Sequence, residues 1–226
     1  MNLLQNFYST PASTPPKNAK LYLSSGGGPL CYNIHYALEI DYIINKYNCD
    51  VIIETGTSTG DTTEYFAKQY PNLTIITCEI EEDYFLIAKD RLKIYPNVHI
   101  FNESSEKIVK KFKNEFKLPF FFLDAHGFDY WPLVDEVKNI KKGIVSVDDF
   151  DIGVDIFGYD QFKGKKCGVD IIPGECLSTP IYGNNPNSLI YSYPLPPTIQ
   201  LAGRGFFGIG IKEDLIKYNK MFKKLK

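Results

Sequence analysis

No two cysteines in the chain are spaced C-x-x-C, and the five present (Cys31, Cys49, Cys78, Cys167 and Cys176) are odd in number. No disulfide framework is expected, and reduced thiols in a cytoplasmic protein are. No stretch approaches the roughly 20 apolar residues that span a bilayer. Residues 1–10 lack a basic segment followed by a long apolar run. Neither excess of charge is present: the net charge of -2 supplies no global basic field to hold nucleic acid or an anionic membrane. There is no Gly-Lys-Ser/Thr, which excludes a P-loop, no G-x-G-x-x-G dinucleotide fingerprint, and no internal repeat. With 226 residues, 44% of them apolar and 23% charged, the composition is that of one globular α/β domain.

Residues 1–30 read as an N-terminal arm and flexible loop: residues 9–18 are rich in Pro, Ser and Thr, and 24–29 run Ser-Ser-Gly-Gly-Gly-Pro. Residues 31–226 read as the domain. Helical spacing begins at 33–47, with Ile34, Ala37, Leu38 and Tyr42 on one face. Short apolar runs at 51–53, 73–77, 98–101, 120–123 and 144–147 then alternate with amphipathic stretches at 61–69, 82–94, 105–116 and 133–141. Runs this short and apolar predict strands buried on both faces, joined by right-handed helical crossovers. The expected fold class is a doubly wound, mostly parallel, seven-stranded sheet. The runs 189–193 and 205–211 are expected to pair as an antiparallel edge. The segment 153–197, dense in Gly, Pro and Tyr, has no helical period.

The first strand runs into Glu54-Thr55-Gly56-Thr57-Ser58-Thr59-Gly60. A glycine turn there lets a ligand approach the backbone at the carboxyl end of the sheet. A carboxylate at Glu54 suits a ligand carrying an ammonium group. Glu79, ending the second strand, can accept from ribose hydroxyls, and Asn102-Glu103-Ser104-Ser105 follows the third strand in reach of an adenine. Ammonium, ribose and adenine together describe S-adenosylmethionine (SAM). On these residues, roughly 50–150 of the chain resembles the class I SAM-dependent methyltransferases, with a Rossmann-like fold. The resemblance implies that Glu54, Gly56 and Thr57 hold the methionine part, with Ser58, Gly60 and Asp124 alongside, Glu79 the ribose, and Ser104 with Glu103 the adenine edge. The loop departs from the family in having Thr57-Ser58-Thr59 where a middle glycine is usual.

The fourth strand ends in Leu123-Asp124-Ala125-His126 and the fifth in Val147-Asp148-Asp149. Asp124 and His126 share a face in extended backbone. Three carboxylates on neighbouring strand tips repel one another unless a cation balances them, and all-oxygen ligation favours Mg²⁺ or Mn²⁺. This pattern resembles the metal-dependent O-methyltransferases of the catechol and sugar-modifying types, which implies Asp124, Asp148 and Asp149 as metal ligands. It also implies His126 as the base, although a carboxylate usually stands there. The expected activity is methylation of a hydroxyl of a small acceptor such as a sugar or glycan unit, in an enzyme without nucleic-acid or membrane partners that forms a homodimer. Two alternatives stay open. One is a metal-independent enzyme using Asp124 and His126; the other is a non-catalytic SAM-binding protein. Each residue also has a plain role: Asp124 as a turn cap, Asp148-Asp149 as a solvated turn, His126 bonded to a backbone carbonyl. Tyr130 and Trp131, with Phe128, are candidate acceptor-stacking residues. Arg204 is a candidate anion clamp or else half of a salt bridge. The Gly26–Tyr32 loop and 157–187 are candidate lids.

Overall fold

The computed structural model describes residues 2–13, 27–126, 131–192, 194 and 201–225. Two helices, α1 (Leu3–Tyr8) and α2 (Ile34–Tyr47), precede a strict alternation. It runs β1 (Val51–Thr55), α3 (Asp61–Gln69), β2 (Thr74–Glu79), α4 (Glu82–Leu92), β3 (Val98–Asn102), α5 (Ser105–Phe112), β4 (Pro119–Leu123), α6 (Leu133–Asn139) and β5 (Gly143–Val147). Each strand and helix of this series overlaps a stretch expected from the apolar pattern. Asn33 caps α2, its side chain accepting from the amides of His35 and Tyr36. Asn48, in the left-handed region, ends that helix.

The remaining strands are a two-residue hairpin, β6 (Gln161–Phe162) and β7 (Lys165–Lys166), then β8 (Tyr182–Asn184), β9 (Gly205–Ile209) and β10 (Phe222–Lys224). The main sheet has the order β10-β8-β9-β5-β4-β1-β2-β3, parallel from β5 to β3 and antiparallel where β9 joins β5. It thus carries eight strands rather than seven, because the C-terminal β10 extends the antiparallel edge against β8. The partner of β9 is β8, not 189–193. Leu189–Ser192 forms a short 3-10 turn instead, and residue 193 lies outside the described residues. β3 is an edge strand and is not covered on both faces, although its sequence is as apolar as that of the inner strands.

The inner strands alternate between two cores. Ile52, Phe120, Phe122 and Ile144 face α2 and α3, while Val51, Ile53, Phe121, Leu123, Val145 and Val147 face α5 and α6. The helix α1 falls within the stretch expected to be an arm, yet it packs. Phe7 is fully buried, edge-on to Tyr65 at 5.4 Å, and the Asn6 side chain bonds Gln69. Six residues carrying one buried aromatic are too short for periodicity to reveal.

The chain moves outward from β1 to β2 and β3, then returns to the other side of β1 with β4. That reversal opens a crevice beyond the carboxyl ends of β1 and β4, where doubly wound sheets hold their ligands. Register sets the lip of the crevice: Thr55 lies opposite Cys78 and Leu123, and Leu123 opposite Val147. Glu79, Asp124 and Asp148 therefore stand at the level of Gly56, with Glu54 two residues below, opposite Thr77 and Phe122.

Candidate functional site

At the cofactor end, the β1–α3 loop is a turn that glycine makes possible. Gly56 has φ of 82°, and a Cβ there would lie 2.5 Å from the Asp124 carbonyl oxygen. The loop amides of Gly56 and Thr57 both donate to the Cys78 carbonyl. Glu54 is buried, its Oε2 accepting from the hydroxyls of Thr63 and Thr77, and burial pushes its carboxyl up to about 7. Thr57 reaches the same cluster through Thr77, at 2.6 Å. Glu79 accepts from the amides of Ser58 at 2.8 Å and Glu81 at 3.0 Å, tying the loop to the second strand tip. Gly60 caps α3 in the left-handed region.

Two hydroxyls along this wall, Ser58 Oγ and Ser104 Oγ, are buried without a hydrogen-bond partner. Such orphans are uncommon unless a ligand completes them. Together with Glu79 and the close-approach turn they fit a nucleoside. Glu103 sits differently: it is exposed, bonded to Lys107 at 2.9 Å and to the amide of Ser104. Over the N-terminus of α3, Asp61 accepts from the amides of Ser13 and Gly28 and pairs with Arg91, which also holds the Pro11 carbonyl at 2.6 Å. The described part of the Gly26–Tyr32 loop is thereby fixed beside the cofactor turn.

At the chemistry end, Asp124, Asp148, Asp149 and, unforeseen from the sequence, Asp160 lie within electrostatic reach of one another. Burial and then the charges of Asp148 and Asp149 drive the Asp124 carboxyl well above the carboxylate range. Burial and then Asp148 push Asp149 up to about 8. Asp149 also has φ of 47°, a strained left-handed backbone for a non-glycine residue. Asp160 arrives from the segment after β5: its amide donates to the Asp149 carbonyl at 2.9 Å, and its own carbonyl accepts from Cys167 at 2.8 Å.

His126 is buried and hydrogen-bonds the Asp148 main chain. Its Nε2 lies 3.9 Å from Cys167 Sγ, while its Nδ1 has no partner. Burial lowers its proton affinity, against the opposing pull of Asp160 and Asp148. Its ring meets Trp131 edge-on at 5.3 Å. Trp131 stacks on Phe162 of β6 at 5.5 Å, only 8° from parallel. The Trp131 indole N–H is buried without a partner. Tyr130 and Phe128, proposed beside it, lie outside the described residues. His35 packs edge-on against Tyr191 at 4.4 Å, away from these groups.

The expected metal triad does not fit. Among the described residues, no group of three His, Cys, Asp or Glu side chains is arranged to hold a metal ion. Asp148 is already engaged: Arg204 Nε lies 3.3 Å from its Oδ1, which also accepts the Asp149 amide at 3.0 Å. Nor is Arg204 an open anion clamp. It is 2% exposed, its guanidinium lies over the Tyr36 ring at 3.5 Å, and Nη1 donates to the Ala202 carbonyl.

A doubly wound sheet with an antiparallel edge and a glycine turn after β1 make a Rossmann-like fold. No protein-family model matches the chain. It is 39% identical over 54 residues to the ribosomal RNA small subunit methyltransferase A of Caldanaerobacter subterraneus subsp. tengcongensis, a stretch that is 24% of this chain and 19% of that protein. Among solved structures it is similar to a caffeoyl-CoA O-methyltransferase-like protein from Staphylococcus aureus (20% identity, 49% of this chain and 55% of the other, TM-score 0.40). It is also similar to a spermidine synthase from Thermotoga maritima (19% identity, 79% and 62%, TM-score 0.47). The chain thus spans less than two thirds of each of these proteins. No helix among the described residues is long and apolar enough to cross a membrane.

Proposed function

We propose that the chain is a SAM-dependent O-methyltransferase acting on a hydroxylated small molecule. The observation that supports this most is the crevice itself. Glu79, the Gly56 turn and the orphaned hydroxyls of Ser58 and Ser104 supply the acceptors and the close backbone approach that a nucleoside needs, and His126 with Trp131 offers unpartnered polar atoms for an acceptor.

In this reading Glu54, Gly56 and Thr57 face the methionine part, Glu79 the ribose, and Ser104 the adenine edge. When bound, SAM supplies an electrophilic methyl group on a sulfonium centre. The residues do the rest by position. His126 has Nε2 turned toward Cys167 and Nδ1 without a partner, so Nδ1 offers a lone pair to an acceptor hydroxyl. Burial keeps that imidazole neutral, as a base must be. The Trp131 indole N–H can donate to the same oxygen. The carboxyls of Asp124 and Asp149 favour a positively charged ligand beside them. No covalent intermediate is needed, so alignment and exclusion of water carry the rate.

Calorimetric titration with SAM tests the cofactor half: Glu79→Ala should weaken binding at least about tenfold, by loss of charged hydrogen bonds. Transfer of labelled methyl groups to a panel of diols, sugars and ribosomal RNA tests the acceptor half. His126→Gln should abolish transfer while leaving SAM affinity intact. Labelling of RNA alone would overturn the small-molecule reading, and absence of SAM binding would overturn the whole.

A further inference from the structure

We infer that the cation balancing the strand-tip carboxylates is the guanidinium of Arg204, held in the protein itself, and that the site takes no divalent metal. This rests on the reading of the crevice as an acceptor site. Arg204 is among the largest fully buried side chains of the molecule, and its surroundings fix it from several directions. Tyr36 lies 3.5 Å beneath the guanidinium and is itself tied to Ser146 of β5 through its hydroxyl at 2.8 Å. The Ala202 carbonyl takes Nη1 at 3.0 Å. The backbone amide of Arg204 donates to Asn184 Oδ1 at 2.6 Å, and the amide group of Asn184 donates to both carboxyl oxygens of Glu39 on α2. Glu39 is also held by the Tyr191 hydroxyl at 3.0 Å.

The guanidinium is therefore built in from α2, β5, β8 and the entry to β9, with its Nε 3.3 Å from Asp148 Oδ1, an ion pair without a hydrogen bond. A dication ligated by Asp148 would be placed against a fixed positive charge that cannot swing away. Asp148 Oδ1 already accepts the Asp149 amide as well. Arg204 acts here as a positioning residue beside Asp148.

The test titrates Mn²⁺ into the full chain and reads the free-ion electron paramagnetic resonance signal. It is run without ligand, with SAM, and with SAM plus catechol as a bidentate probe. Wild type, Asp149→Asn and Arg204→Met are compared. Asp149→Asn leaves the ion pair in place and is the variant expected to fold as wild type. The expected result is that wild type and Asp149→Asn take up Mn²⁺ equally weakly in all three conditions, and that chelator leaves SAM affinity unchanged. Arg204→Met, where it folds, should gain a Mn²⁺ site that a second change, Asp149→Asn, removes. A purely structural arginine would not create such a site when lost. A Mn²⁺ site in wild type that Asp149→Asn abolishes, in any of the three conditions, would overturn the inference. The SAM titration in the same series reports separately on the proposed function.

Discussion

Gly56 is the residue on which the crevice turns. Its φ of 82° disfavours any side chain, and a Cβ would meet the Asp124 carbonyl at 2.5 Å, a backbone atom that cannot step aside. Gly56→Ala should therefore cost about 1–3 kcal/mol in backbone strain alone. It should also push the β1–α3 loop off the fourth strand tip. The expected outcome is a lower urea midpoint with an unchanged slope, together with loss of SAM binding in calorimetry. Binding at wild-type strength would mean that the loop does not form the cofactor wall. Single residues of this kind are legible because their chemistry is local: a glycine after an apolar run, acids ending successive strands. Arg204 is not legible in that way. Its partner Asp148 is far away in the chain, and only the pairing of β9 with β5 brings them together. The same is true of Asp160 and Cys167, which no motif singles out and which the fold delivers to His126. A repelling set of acids raises the question of a balancing cation; that Arg204 stands beside Asp148 is a tertiary fact.

Among elements, the apolar period located every strand from β1 to β5 and each helix between them, because strands buried on both faces and amphipathic helices leave distinct marks. It could not locate α1 or β8. One is held by a single aromatic anchor, and the other is three residues containing a glycine. The β6–β7 hairpin is likewise too short to leave a periodic mark, yet it matters to the site. Phe162 supplies the stacked face for Trp131, which borders His126. Trp131 is the one tryptophan of the chain, so its emission reports directly on this corner. Phe162→Ala should remove a stacking contact of about 0.5–1.5 kcal/mol, admit water to the indole and shift its emission to the red. Overall stability should change little, since Phe162 is only partly buried. An unshifted spectrum would show that the hairpin does not cover Trp131 in solution.

For the whole molecule, the distribution of buried carboxyls sets a pH dependence. Glu39, Glu54 and Glu136 all have proton affinities raised by burial to about 7, and Asp149 to about 8. They sit on α2, β1, α6 and the β5 tip, so the effect belongs to the domain rather than to one site. A carboxyl that binds its proton more tightly when folded contributes stability below its unfolded pKa, and that contribution is lost as pH rises through the folded value. The folded chain should accordingly be more stable at pH 5.5 than at pH 8.5, with the decline centred between about 5 and 8. Glu136 is the cleanest probe because it lies outside the crevice. It is fully buried beside Ser105 and Thr55, and no cation is among the groups that shift it. Glu136→Gln removes the titration while keeping the shape. It should flatten the loss of stability between about pH 4.5 and 7 by about 3 kcal/mol and change little near pH 4, as read from urea unfolding across that range. If wild type and variant instead run parallel, Glu136 is already ionised in the folded protein and must have found a positive partner that the packing around α6 does not supply.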